Sequence, residues 1–519
     1  MAALMVNGIS RELQPEELLK GITSLGVAGN ISAGETIRLV TSDSREVVPG
    51  SLFVAVRGYC SDGHQFIGSA LERGAVAVIC EEMPSEVCLS CLYIKVADAR
   101  KALAEAARIF YGNASDRLLI IGVTGTNGKT TTAKLITAML IANGIPTGYI
   151  GTNLCMIADR EISLERTTPE AHGLHALFSQ MLEAGCRAVV MEVSSHALVL
   201  QRVYGIRFQA AVFTNLSMEH LDFHHSMQEY ALAKQLLFDQ LSDDGFAVFN
   251  SDDHYALQMA ERVDPDKKYC CTLGSEVRPE LSCGRYFKAD IVERTIASSS
   301  VDVQFPGALI NMQVSLPGSY NVMNVLEAAA VGTGMGFEPE GICRSLSEVS
   351  AVEGRMERIG DLSMCGSAFV DYAHTPDALL NALETLRGLK PEGSRLIAVF
   401  GCGGNRDRSK RPEMGRIASL VADEVIITSD NPRDEDPESI LDEIEGGMVS
   451  DHYMRISDRT EAIRMAVSML KRGDILLVAG KGHEKYQEIA GKKYFFSDQE
   501  LVKKYMQQYC SGYPEKEKA

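Results

Sequence analysis

Short apolar runs alternate with stretches of helical spacing along most of the chain. In its middle part, the apolar runs 118–123, 188–191 and 210–213 are separated by helical patterns at 129–142 and 170–184. Strands that alternate with helices at this spacing predict a mainly parallel sheet. The alternation recurs later and predicts a second sheet of the Rossmann-like, doubly wound kind. Its strands are predicted at 368–370, 395–400, 424–428 and 474–478.

The first part of the chain predicts a smaller α/β unit. Two strand-like runs, 37–45 and 48–56, meet at a Val-Pro-Gly turn signal, and a helix followed by a strand is predicted over 71–80. Because 519 residues are too many for one hydrophobic core, the chain is expected to form three domains. Their predicted boundaries are 1–116, 117–348 and 349–519, with residues 350–358 as the linker into the third.

Composition excludes some classes of protein. The apolar content of 45% and charged content of 23% are typical of a soluble globular chain. The net charge of −18 argues against duplex nucleic acid as the main partner. The sequence has no secretory leader and no apolar run of about 18 residues that would span a bilayer. Its thirteen cysteines include the pair Cys88 and Cys91, but no second pair completes a zinc site, so we expect a cytoplasmic enzyme with reduced thiols.

The segment 124–132, Thr-Gly-Thr-Asn-Gly-Lys-Thr-Thr-Thr, lies between a predicted strand and a predicted helix. Glycines let successive backbone N–H groups close on phosphate oxygens, and a helix N-terminus adds partial positive charge. Lys129 would reach the outer phosphates of a nucleotide, and a threonine hydroxyl would bind Mg²⁺. Val123 stands where the general P-loop pattern has glycine. A plain glycine turn is the alternative, but the context favours a P-loop.

Polar side chains follow the next strands of the predicted sheet. Glu192 ends one apolar run, and His220 follows another. Because functional residues gather at the carboxyl ends of parallel strands, both are expected beside the P-loop. A carboxylate and an imidazole near a triphosphate are plausible metal ligands. Taken singly, each is more often a structural carboxylate or a hydrogen-bonded histidine.

Lys234 lies in a helix predicted over 226–241, among apolar neighbours at helical spacing. Most such lysines are solvated, but this setting also allows a half-buried amine with a lowered pKa. A neutral amine can react with CO₂ to give a carbamate.

Separately, Asp43, Ser44 and Arg45 offer charged and hydroxyl groups for an anionic ligand, although a capped, solvated loop explains them equally well.

Six segments, taken together and in order, resemble the Mur ligases of peptidoglycan synthesis, and the match runs from Asp43 to Glu484. They are 124–130, Glu-Val-Ser-Ser-His at 192–196, Thr-Asn-Leu-Ser with His-Leu-Asp at 214–222, Ala-Lys with Leu-Phe at 233–238, Asp-Tyr-Ala-His-Thr-Pro at 371–376 and Gly-Lys-Gly-His-Glu at 480–484. The resemblance implies an α/β chain of three domains: one for a UDP-linked substrate, a central P-loop ATPase-type domain with a parallel or mixed sheet, and a Rossmann-like domain for an amino acid.

The resemblance also implies a reaction and its cofactor. ATP would phosphorylate the D-glutamyl carboxylate of UDP-N-acetylmuramoyl-L-alanyl-D-glutamate, with Mg²⁺ offsetting the charge of the two anions. An amine would then attack the acyl phosphate and expel phosphate. All partners would be small molecules, and we expect a monomer.

Site residues are carried over from the family by position. The catalytic residues would be Lys129, Lys234, His220 and Glu192. The nucleotide would contact Gly125, Thr126, Asn127, Gly128, Lys129, Thr130, Thr131, Asn321, Arg355, Asp371 and His374. Mg²⁺ would be held by Thr130, Glu192, His220 and Lys234 as its carbamate. The UDP-linked dipeptide would contact Ser42, Ser44, Tyr59, Cys60, Ser61, Thr167, Thr168, Ser194 and Arg202.

Two departures from the family affect this last set. Leu200 stands where some members have an amide, so that contact is lost or moved to Gln201, and the residues at 59–61 differ from some members. The individual contacts with the UDP-linked substrate are therefore open.

The segment Asp430-Asn-Pro-Arg433 resembles that of family members that add meso-diaminopimelate rather than lysine. Diaminopimelate carries a second carboxylate at its far end, which Arg433 can pair bidentately. With lysine, Arg433 would face an empty, partly desolvated site, at a cost of roughly 2–5 kcal/mol, or about 30-fold and more in affinity. The implied diaminopimelate contacts are Arg406, Asp430, Asn431, Pro432, Arg433, Gly480 and Glu484.

Other functions remain open at this point. A lysine-adding or D-Ala-D-Ala-adding Mur ligase, or a folylpolyglutamate synthetase, would keep the chemistry and change the substrate. A P-loop switch or scaffold that binds ATP would hydrolyse it slowly without needing an amine.

Overall fold

The structure is a computed structural model, and it describes residues 11–31, 34–58, 61–274, 279–359 and 365–510. The helices and strands of these ranges form three larger sheets and a small hairpin. The three larger sheets lie one in each of the three predicted segments. No helix of the described ranges is long and apolar enough to cross a membrane.

The first sheet is a small α/β unit, as predicted. Its strands run in the spatial order β1-β5-β4-β3-β2; they are parallel except for β1, which pairs antiparallel with β5. The strands are β1 (Gly26–Ala28), β2 (Leu39–Thr41), β3 (Ser51–Val54), β4 (Ala75–Cys80) and β5 (Leu92–Lys95), and the helices are α1 (Pro15–Gly21), α2 (Ile67–Glu72) and α3 (Ala99–Phe110).

The middle sheet is mixed. Its spatial order is β16-β15-β14-β13-β12-β11-β6-β10-β7-β8-β9, with a parallel centre and antiparallel pairs at both edges. The strands are β6 (Leu119–Thr124), β7 (Thr147–Gly151), β8 (Leu154–Ile157), β9 (Arg160–Ser163), β10 (Ala188–Glu192), β11 (Phe208–Phe213), β12 (Leu241–Asn250), β13 (Lys268–Thr272), β14 (Arg285–Arg294), β15 (Ser299–Phe305) and β16 (Ala308–Val314). The helices are α4 (Lys129–Ala142), α5 (Ala171–Glu183), α6 (Ser195–Val199), α7 (Leu221–His224), α8 (Met227–Gln235), α9 (Ala256–Ala260), α10 (Ser319–Gly334) and α11 (Pro339–Ser347).

Strand β6 lies within the parallel part, between β11 and β10, and is buried on both faces. Ile121 and Val123 belong to the core beneath α4 and α10, and Ile120 belongs to the core on the other face. A strand covered on both faces needs a continuous apolar run, which is the pattern that the sequence shows there. The P-loop that follows β6 is thereby anchored to a buried strand of the sheet.

The C-terminal sheet has helices on both faces, as a doubly wound sheet requires. Its order is β17-β18-β22-β19-β20-β21, parallel except for the edge strand β17. The strands are β17 (Glu357–Ile359), β18 (Ser367–Asp371), β19 (Leu396–Phe400), β20 (Glu424–Ile427), β21 (Tyr453–Arg455) and β22 (Ile475–Ala479), and the hairpin β23 (Tyr486–Ile489) and β24 (Lys492–Phe495) follows. The helices are α12 (Pro376–Leu389), α13 (Lys410–Val421), α14 (Pro437–Glu445), α15 (Arg459–Ser468) and α16 (Asp498–Cys510).

Two local predictions were wrong. The helix predicted over 226–241 is α-helical only as far as Gln235; a 3₁₀ turn follows at Phe238–Gln240, where Leu237 and Phe238 pack into the core under the sheet. The segment 350–358, predicted as a linker, reaches into strand β17, which pairs with β18 at the edge of the C-terminal sheet.

Candidate active site

The loop between β6 and α4 has a backbone that requires glycine at two positions. Gly125 has a φ of 153° and Gly128 a φ of 84°. A Cβ atom at position 125 would lie 1.9 Å from Oγ1 of Thr214, and one at position 128 would lie 2.6 Å from Oδ1 of Asn324. Since α4 begins directly after this loop, the segment combines close-packed backbone with a helix N-terminus, a combination suited to phosphate groups.

Lys129 is the first residue of α4 and its side chain folds back over the loop. Its ammonium donates hydrogen bonds to the carbonyl oxygens of Gly125, at 2.9 Å, and Thr126, at 2.8 Å. Burial lowers the pKa of Lys129, and the nearby carboxylates of Glu219 and Glu192 oppose that shift. The ammonium of Lys129 therefore lies near two carboxylates, those of Glu219 and Glu192, as well as the carbonyl oxygens of the loop.

A second loop, which follows β11, clamps the first. The N–H of Thr126 donates to the carbonyl of Asn215 at 2.9 Å, and the N–H of Asn127 donates to the side-chain oxygen of Asn215 at the same distance. The hydroxyl of Thr214 donates to the carbonyl of Asn127 at 2.6 Å. The Thr-Asn-Leu-Ser segment, which the sequence analysis singled out, therefore holds the P-loop in place.

Glu192 ends β10 beside the start of α4 and is fully buried. Its carboxylate accepts hydrogen bonds from the Thr130 hydroxyl at 2.9 Å, the Tyr149 hydroxyl at 2.8 Å and the Thr152 N–H at 3.0 Å. A buried carboxylate with this many donors has a fixed orientation. The predicted proximity of Glu192 to the P-loop is therefore observed.

His220 lies in the loop after β11 with a left-handed φ of 58°. Its Nε2 is 3.6 Å from the carboxylate of Glu219, which is also 3.5 Å from Nε2 of His374 in the C-terminal part. Burial opposes ionisation of Glu219, but the bond from His374 and the charge of His220 outweigh it and hold the pKa of this carboxyl below its usual range. Sequence reasoning missed Glu219, although its position next to His220 was the available signal.

Lys234 lies on α8 behind the P-loop and is 1% exposed. Its amine donates to the carbonyl of Gly125 at 2.8 Å and sits 4.5 Å from the ring centre of Tyr230. Burial, reinforced by the charge of Lys129, holds the pKa of Lys234 well below its ordinary value. The side chain is thus more deeply buried than the sequence predicted.

Direct hydrogen bonds join the C-terminal part to the P-loop. Nη2 of Arg355 donates to the Thr130 hydroxyl at 2.9 Å, and the side-chain amide of Asn127 donates to the carboxylate of Asp377 at 2.8 Å. The segment predicted as a linker therefore supplies a guanidinium to the nucleotide site.

Two other predicted nucleotide residues have structural partners. Asp371 accepts backbone N–H groups of Met356, at 2.6 Å, and Ala373, at 2.8 Å, and burial raises its pKa although Arg355 opposes the shift. Asn321 donates to the carbonyl of Pro317 at 2.7 Å.

The loops at the carboxyl ends of β20 and β22 form a polar pocket. The amide of Asn431 donates to Glu484 at 2.9 Å, and the buried ammonium of Lys481 donates to Asn431 at 2.9 Å and to Glu484 at 3.3 Å. Sequence reasoning named Asn431 and Glu484 but missed Lys481, which connects them.

Two guanidinium groups lie in the same part of the cleft. Nη1 of Arg433 donates to the carbonyl of Gly404 at 2.7 Å. Burial lowers the pKa of Arg406, and the charge of Arg433 adds to the shift. Both guanidinium groups carry donors that suit a carboxylate ligand.

A single cleft of about 1120 Å³ brings most of the predicted residues together. Its walls come from the middle and C-terminal parts. The predicted site residues that line it are Thr126, Asn127, Gly128, Lys129, Thr130, Thr131, Thr167, Glu192, His220, Asn321, Arg355, Asp371, His374, Arg406, Asp430, Asn431, Arg433, Gly480 and Glu484.

Other predicted residues lie outside the walls of that cleft. They are Ser42, Ser44, Ser61, Gly125, Thr168, Ser194, Arg202, Lys234 and Pro432. Tyr59 and Cys60 fall outside the described residues.

Thr168, Ser194 and Arg202 form one connected group just beyond the cleft wall. Thr168 donates to the Glu192 carbonyl at 2.9 Å and accepts the Ser194 N–H at 3.1 Å, while Arg202 donates to the Thr168 carbonyl at 3.1 Å. These contacts tie the group directly to the backbone of Glu192.

The oxygen donors beside the P-loop fit a hard divalent cation. The Thr130 hydroxyl and the Glu192 carboxylate lie 2.9 Å apart, and Mg²⁺ takes a few such oxygens together with phosphate oxygens and water. Within the described ranges, no group of three or more His, Cys, Asp or Glu side chains is arranged to hold a metal alone. A cation here would therefore depend on the nucleotide for further ligands.

The fold and the cleft define a P-loop α/β protein whose middle and C-terminal sheets share one cleft beside the P-loop. Residues 36–111 match the catalytic domain of the Mur ligase family, residues 123–332 the Mur ligase middle domain, and residues 354–482 the glutamate ligase domain of Mur ligases. The chain belongs to the Mur ligase family.

Several proteins that are similar to this chain carry the same name. A UDP-N-acetylmuramoyl-L-alanyl-D-glutamate–2,6-diaminopimelate ligase of Chlorobium phaeobacteroides is 60% identical over 501 residues, or 96% of this chain and 98% of the relative. A ligase of that name from Chlorobaculum tepidum is 59% identical, over 93% of this chain and 95% of its own length.

Solved structures agree on the fold. One of a ligase of the same name is 33% identical, covers 92% of this chain and 97% of its own, and has a TM-score of 0.65. A MurF ligase of Thermotoga maritima in complex with ADP is 20% identical, covers 91% and 97%, and has a TM-score of 0.59, which shows the fold alone.

Proposed function

We propose that this chain is an ATP-dependent amide ligase that adds meso-2,6-diaminopimelate to the D-glutamate of UDP-N-acetylmuramoyl-L-alanyl-D-glutamate. ATP becomes ADP and phosphate, and the product is a peptidoglycan precursor. One observation carries the proposal: a single cleft holds both the P-loop of the middle sheet and the Arg433–Glu484 pocket of the C-terminal sheet. Relatives of 59–60% identity bear the name of this activity.

The chemistry explains why both parts are needed. A carboxylate does not react with an amine until one of its oxygens becomes a good leaving group. The D-glutamyl oxygen attacks the γ-phosphorus and ADP leaves. The neutral amine nitrogen then attacks the acyl carbon, and phosphate leaves from the tetrahedral intermediate while the nitrogen loses a proton to solvent. Positioning and charge stabilisation supply most of the catalysis in such transfers.

The chain's own groups position and stabilise the phosphates. Lys129 exchanges its bonds with Gly125 and Thr126 for the β- and γ-phosphates, and the backbone of 125–131 surrounds them. Arg355 contacts the terminal phosphate, and its bond to Thr130 supports that placement. Asn321, Asp371 and His374 frame the nucleotide.

Mg²⁺ is the metal that suits this donor set. Thr130 and Glu192 would hold it, together with His220 and the carbamate of Lys234. Bound Mg²⁺ offsets the charge of the two anions that must approach each other. The lowered pKa of Lys234 supports the carbamate, since only a neutral amine adds CO₂.

The UDP-linked dipeptide is proposed to contact both the first and the middle domain. Ser42, Ser44 and Ser61 would hold its UDP end, with Tyr59 and Cys60 between them. Thr167, Thr168, Ser194 and Arg202 would hold the muramoyl-dipeptide; the tie from Thr168 to the Glu192 backbone supports a location next to the reacting carboxylate.

Amino-acid selection is assigned to Arg433 and its neighbours. Arg433 and Arg406 pair the distal carboxylate of diaminopimelate, and Glu484 with the Gly480 carbonyl takes the distal ammonium. Asp430, Asn431 and Pro432 shape the pocket.

We also propose the domain boundaries 1–116, 117–348 and 349–519, a cytoplasmic location, and a monomeric enzyme.

An amino-acid panel tests the proposal. Phosphate release is measured with ATP, the UDP-linked dipeptide and, in turn, diaminopimelate, lysine, D-Ala-D-Ala or glutamate. We expect turnover with diaminopimelate that exceeds lysine by an order of magnitude or more. Equal turnover with lysine would refute the assignment of Arg433, and amine-independent hydrolysis would indicate a switch rather than a ligase.

A further inference from the structure

Arg433 is held by the hairpin that follows the Gly-Lys-Gly-His-Glu segment. Its backbone is in the left-handed region, with a φ of 53°, which few residues other than glycine adopt without support. The support comes from two hydrogen bonds: the Arg433 N–H donates to the Glu488 carbonyl at 3.0 Å, and the Ala490 N–H donates to the Arg433 carbonyl at 2.7 Å. The hairpin therefore fixes the backbone of Arg433, from which its side chain extends.

The same hairpin also contacts the end of that side chain. Nε of Arg433 is 3.2 Å from the carboxylate of Glu488, while Nη1 donates to the Gly404 carbonyl. A guanidinium has five N–H donors in a rigid planar fork. Contacts at Nε and Nη1 set the plane of the fork and leave donors for a ligand carboxylate.

The carboxylate of Glu488 pairs with Arg433, while the lysine opposite Glu488 in the hairpin contacts a tyrosine ring. The residue opposite it on β24 is Lys493, whose ammonium lies 4.2 Å from the ring centre of Tyr486. Glu488 is also close enough to Arg406 to oppose the lowering of that arginine's pKa. One carboxylate thus balances two guanidinium groups that would otherwise repel each other in the cleft.

We propose that Glu488 is a positioning residue for amino-acid specificity: its carboxylate orients the Arg433 guanidinium for bidentate pairing with the distal carboxylate of the incoming amino acid. The inference rests on the proposed function, since it requires an amino acid with a distal carboxylate. An arginine that is already oriented loses less freedom when the ligand binds, which strengthens binding without a new contact.

The ion pair also changes the expectation for lysine. Because Arg433 keeps Glu488 as a partner whichever amino acid binds, lysine would not leave a bare guanidinium in the site. Discrimination then comes mainly from the pairing that diaminopimelate gains, and less from a penalty on lysine.

The test uses steady-state kinetics of the full-length enzyme with each substrate varied in turn. For Glu488→Ala we expect the KM for diaminopimelate to rise about tenfold, with kcat at saturation and the KM for ATP within about twofold of the parent. Glu488→Gln keeps an oxygen acceptor for Nε and should restore the KM to within about threefold. Lys493→Ala, on the opposite strand of the hairpin, is the matched control and should leave all constants unchanged.

Three results would overturn the inference: an unchanged KM for diaminopimelate in Glu488→Ala, a similar rise for all substrates in both Glu488 variants, or the same effect from Lys493→Ala. Arg433→Ala, measured in parallel, separates the two levels of the proposal. If Arg433→Ala raises that KM and Glu488→Ala does not, only the role of Glu488 fails. If neither variant changes it, the assignment of Arg433 fails as well.

Discussion

Replacing Lys234 by methionine removes the buried amine beside the P-loop and keeps an unbranched apolar side chain of similar length. Lys234 is 1% exposed, and its amine donates to the Gly125 carbonyl at 2.8 Å. Burial and Lys129 hold its pKa well below the ordinary value. A neutral amine can form an N–C bond with CO₂ and release its proton to solvent, which yields a carbamate anion. Methionine cannot form one.

The structure separates the expected effects on stability and on activity. The substitution loses one hydrogen bond, worth about 0.5–1.5 kcal/mol, and the removal of a desolvated amine offsets part of that loss. The net change in unfolding free energy should therefore stay within about 1 kcal/mol. If the carbamate helps to hold charge at the reacting phosphates, its loss should lower kcat by about 10²–10³-fold, or roughly 3–4 kcal/mol in activation free energy.

Phosphate release at saturating substrates measures kcat, and thermal unfolding measures stability. Lys268→Met is the matched control, because Lys268 is also buried in the middle sheet, on β13, but lies outside the walls of the cleft. We expect the control to retain its activity. Lys234→Ala should recover part of its activity in added short carboxylates. Full activity of Lys234→Met would refute the carbamate and remove Lys234 from the site.

Three further predictions follow from individual contacts. Burial raises the pKa of Glu327 to about 8 from an ordinary value of 4.5. The contribution of this carboxyl to stability is therefore complete below about pH 4.5 and is lost as the pH rises through 8. Glu327→Gln should gain unfolding free energy relative to the parent over that range, as measured by denaturant titration. Alanine at Asn127 and at Asp377 should show a coupling of about 1 kcal/mol in kcat/KM for ATP, because the two side chains are hydrogen-bonded at 2.8 Å. Gly125→Ala places a Cβ atom 1.9 Å from the Thr214 hydroxyl and should weaken ATP binding at least tenfold by calorimetry.

Each of these has its own control or contrary result. A stability difference for Glu327→Gln that does not change with pH would mean that the carboxyl ionises normally in the folded chain. Additive effects in the Asn127 and Asp377 pair would mean that the two do not act together. Gly68→Ala, where the added Cβ meets open space, should leave both stability and ATP binding unchanged.

The local sequence was sufficient to locate the P-loop and the strands around it. Helix α4 begins at Lys129 and ends at Ala142, as its pattern predicted, because an apolar strand, a glycine turn and a helical repeat are all local signals. The mixed middle sheet and the doubly wound C-terminal sheet were also predicted. The resemblance to the Mur ligases then named residues from distant segments, and nineteen of them line one cleft.

The errors arose where distant contacts override the local pattern. The helix predicted to reach 241 is α-helical only to Gln235 and tightens into a 3₁₀ turn at Phe238–Gln240, where Leu237 and Phe238 pack into the core. The predicted linker enters strand β17, because the edge of the C-terminal sheet offers unpaired backbone groups.

What the sequence by itself determined is the set of strand–turn–helix units and the chemical groups that stand at their ends. Only the tertiary structure decided which of those groups meet. Glu219 lies between two histidines, Lys481 between Asn431 and Glu484, and Glu488 beside Arg433, and in each case at least one partner comes from a distant part of the chain. Their roles come from pairings that form when separate loops pack together, and a side chain's partners across such packing are set by the whole fold rather than by its neighbours in the chain.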